Sequence, residues 1–269
     1  MLIAQITDLH AGIKVSAEGV EIDTLRQVAK AVDHLNGFSP SLDCVVATGD
    51  LAGDGLVEEY RGLRAQLDRL RMPCYLIPGN HDDRDRLHAV FGHHGYLSTD
   101  DRFLHYTVDT HPLRLIGLDT LDPGEDRGLL CELRLQWVEN QLEQGKDRPT
   151  LLFMHHPPFV CGIAEFDQMR CRNGEALGAI VGRHPQVVGV LAGHVHRAIH
   201  TSWHGCAVHV APSVSFQYPL ALDPRYKLVP IAEPGACGIY RWTPEDGLSA
   251  HISYLKPYGQ AGNEDHRHQ

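Results

Sequence analysis

The chain lacks the marks of several large protein classes. No apolar run approaches the ~20 residues that a bilayer-crossing helix needs. No basic segment followed by a small-residue cleavage site precedes the first strand-like run, Leu2–Ile6, so no signal-peptide pattern is present and a cytoplasmic enzyme is expected. The seven cysteines (Cys44, Cys74, Cys131, Cys161, Cys171, Cys206 and Cys237) form no C-x-x-C pair. Their odd number and wide spacing argue against a disulfide scaffold or a thiolate zinc site and suit small core residues. There is no G-x-x-x-x-G-K-[ST] loop, which argues against an NTPase; the glycine-rich stretch 49–55 has no lysine. Basic residues are also short: Lys and Arg number 24 against 34 Asp and Glu, a net charge of −10. Nucleic-acid surfaces need clustered Lys and Arg, so such a partner is not expected. Part of the acidic excess could be neutralised by bound cations.

What is present points to a folded enzyme. Apolar residues make up 43% of 269 positions, enough for a large buried core. Strand-like and helix-like patterns alternate. Residues 2–7 are a short apolar run; Leu25, Val28, Ala29, Val32 and Leu35 then recur at helical spacing and stop at Asn36-Gly37. A strand is expected over Cys44–Thr48, a helix through Tyr60, Leu63, Leu67 and Leu70, and a strand over Cys74–Ile77. Residues 103–108 and 113–118 read as an antiparallel pair. A helix over 129–142, a strand over 151–154, a helix over 175–183 and a strand over 187–191 follow. Short strands at 199–203, 207–210, 238–242 and 250–255 close the pattern. This order predicts two sheets packed face to face with helices outside both. No linker and no repeat divides the chain. Residues 159–173 form an unusually apolar insertion, a candidate lid or oligomer contact, and the polar tail 259–269 is expected to fray.

Nineteen histidines are many for this length, and five of the short segments that follow strand-like runs are rich in metal-ligand residues. They are Asp8-Leu9-His10, Gly49-Asp50, Gly79-Asn80-His81-Asp82, His155-His156 and Gly193-His194-Val195-His196. Ligands of open α/β sheets gather beyond the carboxyl ends of strands, where all five fall. Each alone is weak: an isolated Asp-x-His is usually a surface turn. Together they supply Asp8, His10, Asp50, Asn80, His155, His194 and His196, carboxylate and amide oxygens mixed with imidazoles, a set suited to Mn, Fe or Zn. Seven ligands exceed the needs of one catalytic ion. Two ions roughly 3.5–4 Å apart, sharing a carboxylate, would use them all. Asp8 and His10, two apart, should point the same way if their strand continues. His156, next to a ligand on a strand end, should point away.

The ordered set resembles the calcineurin-like metallophosphoesterases, whose pattern is D-x-H, G-D, G-N-H-[DE], a later His and G-H-x-H; the likeness spans residues 1–196. It implies a four-layer α/β/β/α sandwich of two mixed β-sheets, one domain over 1–258, and two metal ions (Fe, Mn, Zn or Co). By that match Asp8, His10, Asp50 and His196 hold one ion, and Asp50, Asn80, His155 and His194 the other. His81 matches the family's non-ligand histidine near the leaving group, with Asp82 as a candidate orienter. Asn80 and His81 would meet the substrate.

Within the family, the segments 77–83, 153–158 and 193–196 look like bacterial class III cyclic-nucleotide phosphodiesterases and the related glycerophosphodiesterases. Residues 211–217 are similar to the proline-serine segment of the cyclic-nucleotide group, with Ser213 and Gln217 as candidate substrate contacts or turn residues. No histidine occurs between His209 and His251, where a glycerophosphodiesterase would carry one to meet substrate. The implied reaction is hydrolysis of a small phosphodiester by in-line attack of a metal-bound hydroxide. A phosphomonoesterase or protein phosphatase of the same superfamily, and a non-catalytic scaffold, are the alternatives. The resemblance also implies a homo-oligomer, dimer or higher, joined through the segment after His155-His156-Pro157-Pro158. The loops 13–20 and 53–58 are further candidates to flank the substrate.

Overall fold

The structure, a computed structural model, describes residues 1–97 and 102–255; the tail 259–269 lies outside the described residues. The chain runs through β1 (Leu2–Ile6), β2 (Lys14–Ala17), β3 (Val20–Asp23), α1 (Thr24–Asn36), β4 (Cys44–Thr48), α2 (Val57–Leu67), β5 (Cys74–Ile77) and α3 (Arg84–Phe91). It continues with β6 (Tyr106–Val108), β7 (Arg114–Leu118), α4 (Glu132–Gln144), β8 (Thr150–Met154), α5 (Ala164–Met169), α6 (Gly174–Val181) and β9 (Val187–Ala192). The strands β10 (Ile199–Trp203), β11 (Cys206–Val210), β12 (Ala236–Thr243) and β13 (Gly247–Tyr254) complete it.

Two mixed sheets result, one in the order β13-β12-β1-β4-β5 and one in the order β10-β11-β9-β8-β7-β6. β1, β4 and β5 are mutually parallel, as are β7, β8, β9 and β11. The alternation along β8 shows how the layers stack. Leu151 and Phe153 join the core that lies between the sheets and under α1 to α3. Leu152 and Met154 join a second core under α4 to α6. Successive side chains leave a strand on opposite faces, so one strand with both faces covered feeds both cores. This is the four-layer α/β/β/α sandwich that the sequence predicts.

The parallel arrangement brings the carboxyl ends of β1, β4, β5, β8 and β9 to one rim. Gln5 ties the sheets together there, its Nε2 donating to Thr48 Oγ1 (2.8 Å) and to the Ala192 carbonyl (2.7 Å). The Gly193 N–H donates to the His155 carbonyl at 2.9 Å.

Some elements differ from expectation. The stretch 13–20, expected to be a loop, belongs to the β2–β3 hairpin, and α3 and α5 have no counterpart among the expected elements. α3 is short but well signalled: Asp83 caps it by accepting from Arg86 N–H, and Leu87, Val90 and Phe91 bury one face. The helix expected over 60–70 spans Val57–Leu67. Glu59 accepts there from the N–H groups of Asp54 and Leu56 and so fixes its start. The strand expected from 103 begins at Tyr106, because the Leu104 N–H is taken by the Asp119 carboxylate at 2.8 Å rather than by a strand partner.

Candidate metal centre

The loops at the rim are wound tightly. Asp8 (φ 52°), His10 (φ 43°), Asp50 (φ 48°), His194 (φ 72°) and His196 (φ 53°) all lie in the left-handed region. Non-glycine residues seldom adopt it, and the strain persists only where neighbours enforce it. Here they do. Asp8 N–H donates to the Gly49 carbonyl (3.1 Å) and His10 N–H to the Asp50 carbonyl (2.8 Å). His194 N–H donates to both Asp8 carboxylate oxygens at 3.1 and 3.0 Å. Ser213 Oγ donates to the Asp8 carbonyl (2.8 Å) and Ser215 Oγ to the Leu9 carbonyl (2.7 Å). Strand continuation is therefore not what brings Asp8 and His10 together; paired left-handed turns do. Gly79 permits a close approach, since a Cβ there would collide with the Asp50 carboxylate and backbone nitrogen.

The orientation of the imidazoles decides what the centre can hold. His155 Nδ1 donates to the Thr48 carbonyl at 2.8 Å, and His196 Nδ1 donates to the Phe216 carbonyl at 2.8 Å. A carbonyl only accepts, so in the neutral rings each Nε2 carries a bare lone pair. His155 Nε2 faces Asp50 Oδ1 at 3.3 Å and Asn80 Oδ1 at 3.2 Å. His196 Nε2 faces Asp8 Oδ1 at 3.4 Å and His10 Nε2 at 3.2 Å, and His10 Nε2 lies 3.6 Å from Asp50 Oδ2. Lone pairs facing lone pairs at such range repel unless a positive charge sits between them. Tetrahedral ligands about 2.1 Å from an ion lie roughly 3.4 Å from one another, the spacing seen here. His10 Nδ1 and His194 Nε2 are buried with no hydrogen-bond partner among the described residues. The donor set fits metal ions, and the clusters Asp8–His10–His196 and Asp8–Asp50–His155 each keep their ligand atoms within 4.8 Å.

The titration behaviour carries the same message. Burial pushes the His10 and His194 pKa values down to about 3, so both are neutral and able to ligate. Burial also opposes charge on His155, but the Asp50 carboxylate outweighs it and lifts His155 to about 9. Burial would raise Asp50; the positive field of His155 holds it well below the usual carboxylate range instead. The pocket thus draws a positive charge into the space between Asp50 and His155, and a cation satisfies it as a proton would.

All seven ligand candidates, Asp8, His10, Asp50, Asn80, His155, His194 and His196, converge on this rim. His81 stands beside them: its N–H donates to Asp50 Oδ1 (3.0 Å), its Nδ1 donates to the Gly53 carbonyl (2.7 Å), and its ring centroid is 4.6 Å from that of His10. Burial opposes its charge, but Asp50 and the Gly53 carbonyl outweigh that and its pKa is raised. Asp82 does not orient His81. Its carboxylate accepts from the N–H groups of Leu51, Ala52 and Gly79 and from Tyr60 Oη, and so staples the Asp50 loop to the Asn80 loop. His156 does not turn fully away: Nδ1 lies 2.8 Å from Thr120 Oγ1, yet its ring is 4.7 Å from those of His155 and His194. Ser213 and Gln217 are buried and hydrogen-bonded to each other, and Ser213 Oγ also to the Asp8 carbonyl, so they support the centre from behind. Sequence reasoning missed Asp126 and Tyr218, which join Phe166, Met169, His81, Asn80 and Asp50 around a cavity of about 220 Å³. Phe166 and Met169 belong to the apolar segment 159–173 that the sequence offers as a candidate lid.

Comparison with known proteins agrees with this geometry. The chain is 34% identical over 256 residues to a probable glycerophosphodiester phosphodiesterase, GpdQ, of Arcobacter nitrofigilis, covering 95% of this chain and 93% of that protein. It is 28% identical over 216 residues to the 3',5'-cyclic adenosine monophosphate phosphodiesterase CpdA of Escherichia coli K12, covering 80% and 77% of the two chains. A dimetal phosphatase from Danio rerio shares the fold with a TM-score of 0.68 at 16% identity, over 95% of this chain and 99% of that one. The family profile described as calcineurin-like phosphoesterase matches residues 1–198, and the chain belongs to that family.

Proposed function

We propose that the protein hydrolyses small phosphodiesters at this rim with two metal ions. Asp8, His10, Asp50 and His196 would hold one ion and Asp50, Asn80, His155 and His194 the other, with Asp50 common to both sets. Bound there, the ions would polarise the phosphoryl oxygens and lower the pKa of a water. The chain's own residues do the rest. The carbonyls of Thr48 and Phe216 lock the ligand tautomers of His155 and His196. His81, with its raised pKa and its Nδ1 committed to Gly53, keeps Nε2 for a phosphoryl or leaving oxygen. Asn80 offers its side chain to the same phosphate.

The observation that carries this reading is the pair of inward-facing Nε2 atoms on His155 and His196, each 3.2–3.4 Å from an oxygen of Asp8, Asp50 or Asn80. The names of the relatives, one group acting on glycerophosphodiesters and one on cyclic nucleotides, support a small diester. The proposal extends to one catalytic domain over 1–258, to metals drawn from Fe, Mn, Zn and Co, and to a cytoplasmic homo-oligomer. Val160, 64% exposed within 159–173, favours that segment as the contact. The test is hydrolysis of bis(p-nitrophenyl) phosphate against p-nitrophenyl phosphate after chelation and readdition of Mn²⁺. Preference for the diester is expected. Preference for the monoester would replace this reading with a phosphomonoesterase.

A further inference from the structure

The tyrosines that are buried or half-buried spend their hydroxyl groups on the fold, with one exception. Tyr60 Oη donates to Asp82 (2.9 Å), Tyr106 Oη to the Leu76 carbonyl (2.8 Å), Tyr96 Oη to the Cys74 carbonyl (3.1 Å) and Tyr240 Oη to Gln5 Oε1 (2.6 Å). Tyr75 Oη lies 3.1 Å from His111 Nε2. A phenol drawn out of water usually finds such a partner. The hydroxyl of Tyr218 has none among the described residues, although the residue is half-buried and lines the metal cavity with Asn80, His81 and Asp50. Its ring is held on several sides. The centroid lies 5.1 Å from that of His196, 5.6 Å from Phe166 and 5.7 Å from Phe216, all at steep angles. The side chain packs both on the core under α4 to α6 and on the small apolar cluster that Ala17 and Ile22 of the β2–β3 hairpin form with Phe216. Arg197 Nη1 fixes the backbone, donating to the Tyr218 carbonyl at 2.6 Å and to Glu233 at 3.1 Å. Burial raises the pKa of the phenol, and the Asp8 and Asp50 carboxylates raise it further. That both carboxylates reach the phenol oxygen places it on the side of the ring turned to the metal centre.

We infer that Tyr218 is a further catalytic residue, whose hydroxyl donates a hydrogen bond to a non-bridging oxygen of the bound phosphodiester from the aromatic wall of the cavity. The inference rests on the phosphodiesterase reading above. Phe166 and Met169, its neighbours in that wall, carry no N–H or O–H in their side chains, so the phenol supplies the donor there. An anionic oxygen accepts more than one donor, and a contact from this wall adds to those from Asn80 and His81. The proton stays on the phenol throughout; no bond to it forms or breaks. Because packing and Arg197 already hold the ring, little side-chain freedom is lost when the phosphate arrives. A hydrogen bond to a charged oxygen made by such a fixed donor changes affinity by about tenfold.

The test compares wild type with Tyr218→Phe, which keeps the ring and its packing and removes the hydroxyl alone. Tyr75→Phe, which removes a hydroxyl far from the cavity, is the control. In Tyr218→Phe, kcat/KM for bis(p-nitrophenyl) phosphate should fall about tenfold, with Tm and metal content per chain unchanged. Calorimetry supplies a readout free of turnover. The Kd of inorganic phosphate for the Mn²⁺-loaded protein should rise about tenfold in Tyr218→Phe and stay level in Tyr75→Phe, while the affinity for Mn²⁺ itself stays level in both. Equal phosphate affinity in wild type and Tyr218→Phe overturns the inference. So does weaker phosphate binding that comes only with loss of Mn²⁺, because the hydroxyl would then serve the metals and not the phosphate. Wild type preferring p-nitrophenyl phosphate would instead sink the phosphodiesterase reading and leave the phosphate contact, read by calorimetry, standing, so the two failures are distinct.

Discussion

Two sets of buried charges sit close to the same rim and are built on opposite plans. Asp119 is saturated by the protein. Arg84 grips it with two bonds at 2.6 and 2.8 Å, and the N–H groups of Leu104 and Leu121 donate at 2.8 and 2.9 Å. Arg134 approaches to 3.7 Å and donates to the Asp119 carbonyl. Asp50 is equally enclosed, but the His81 N–H is the one backbone donor it receives among the described residues; the imidazole nitrogens of His10 and His155 fill its remaining surroundings. Buried charge costs several kcal/mol unless it is compensated. The first set is compensated from within and holds the fold. The second is left short, and its shortage is the shape of a cation. Asp82, with four donors, stands with Asp119 although it is two residues from Asn80. Proximity to the centre therefore does not identify a ligand; the missing donors do.

The sharpest way to break this contrast is Asp50→Ala. Removing the shared carboxylate should lower kcat by at least about 10³-fold, since the metals supply several kcal/mol of transition-state stabilisation. Metal analysis should find fewer than two ions per chain. Retained turnover with a full metal complement would show that Asp50 is another Asp119. The converse change, Asp119→Ala, leaves Arg84 and Arg134 without their buried partner. It should cost about 3–5 kcal/mol of stability, a Tm drop of roughly 10 °C, while folded protein keeps its metals. Loss of metal without loss of stability would reverse the two assignments. His81→Ala should reduce kcat about 10²-fold with KM and metal content little changed, as expected for a proton donor that ligates no ion. A fall in metal content would place His81 among the ligands.

The sequence makes these two plans unequally legible. Candidate ligands at strand ends show through, because a metal accepts few residue types and parallel strands bring their carboxyl ends together; Asp8, Asn80 and His194 are recognisable as candidates before any contact is known. The apolar alternation that builds the sheets is visible for the same reason, one periodicity repeated over several residues. Asp119 gives no such signal. Apart from the Leu121 N–H, its partners come from Arg84, Leu104 and Arg134, far off in the sequence, and a local turn contact alone does not distinguish it from a surface aspartate. Asp126 and Tyr218 are hidden likewise, since their place in the cavity is set by packing across the chain. The Asp8–His10 geometry misleads, because left-handed residues break the period-two rule on which strand reading depends. α3 and α5 fail to register because eight and six residues span too few turns for periodicity to stand out.

A third cluster offers the finest test of the idea that carboxylates, not histidines alone, make a site cation-ready. His200 and His209 face each other across β10 and β11 with Nδ1 atoms 2.7 Å apart, and neither has a carboxylate partner among the described residues. Burial, aided by His200, pushes the His209 pKa down to about 4 from an ordinary 6.5, the opposite of what Asp50 does to His155. A depressed pKa in the folded state means that the neutral ring is preferred. The stability is therefore complete above about pH 6.5 and is lost as pH falls toward 4. His209 is partly exposed, so solvent screening trims the effect to about 1 kcal/mol. Replacing it by His209→Gln should flatten the acid limb of the stability curve by that amount and leave stability at pH 7.5 nearly unchanged, as read by urea unfolding at each pH. Parallel acid limbs for the two proteins would mean that His209 is relieved by a partner, and that this pair too is compensated from within.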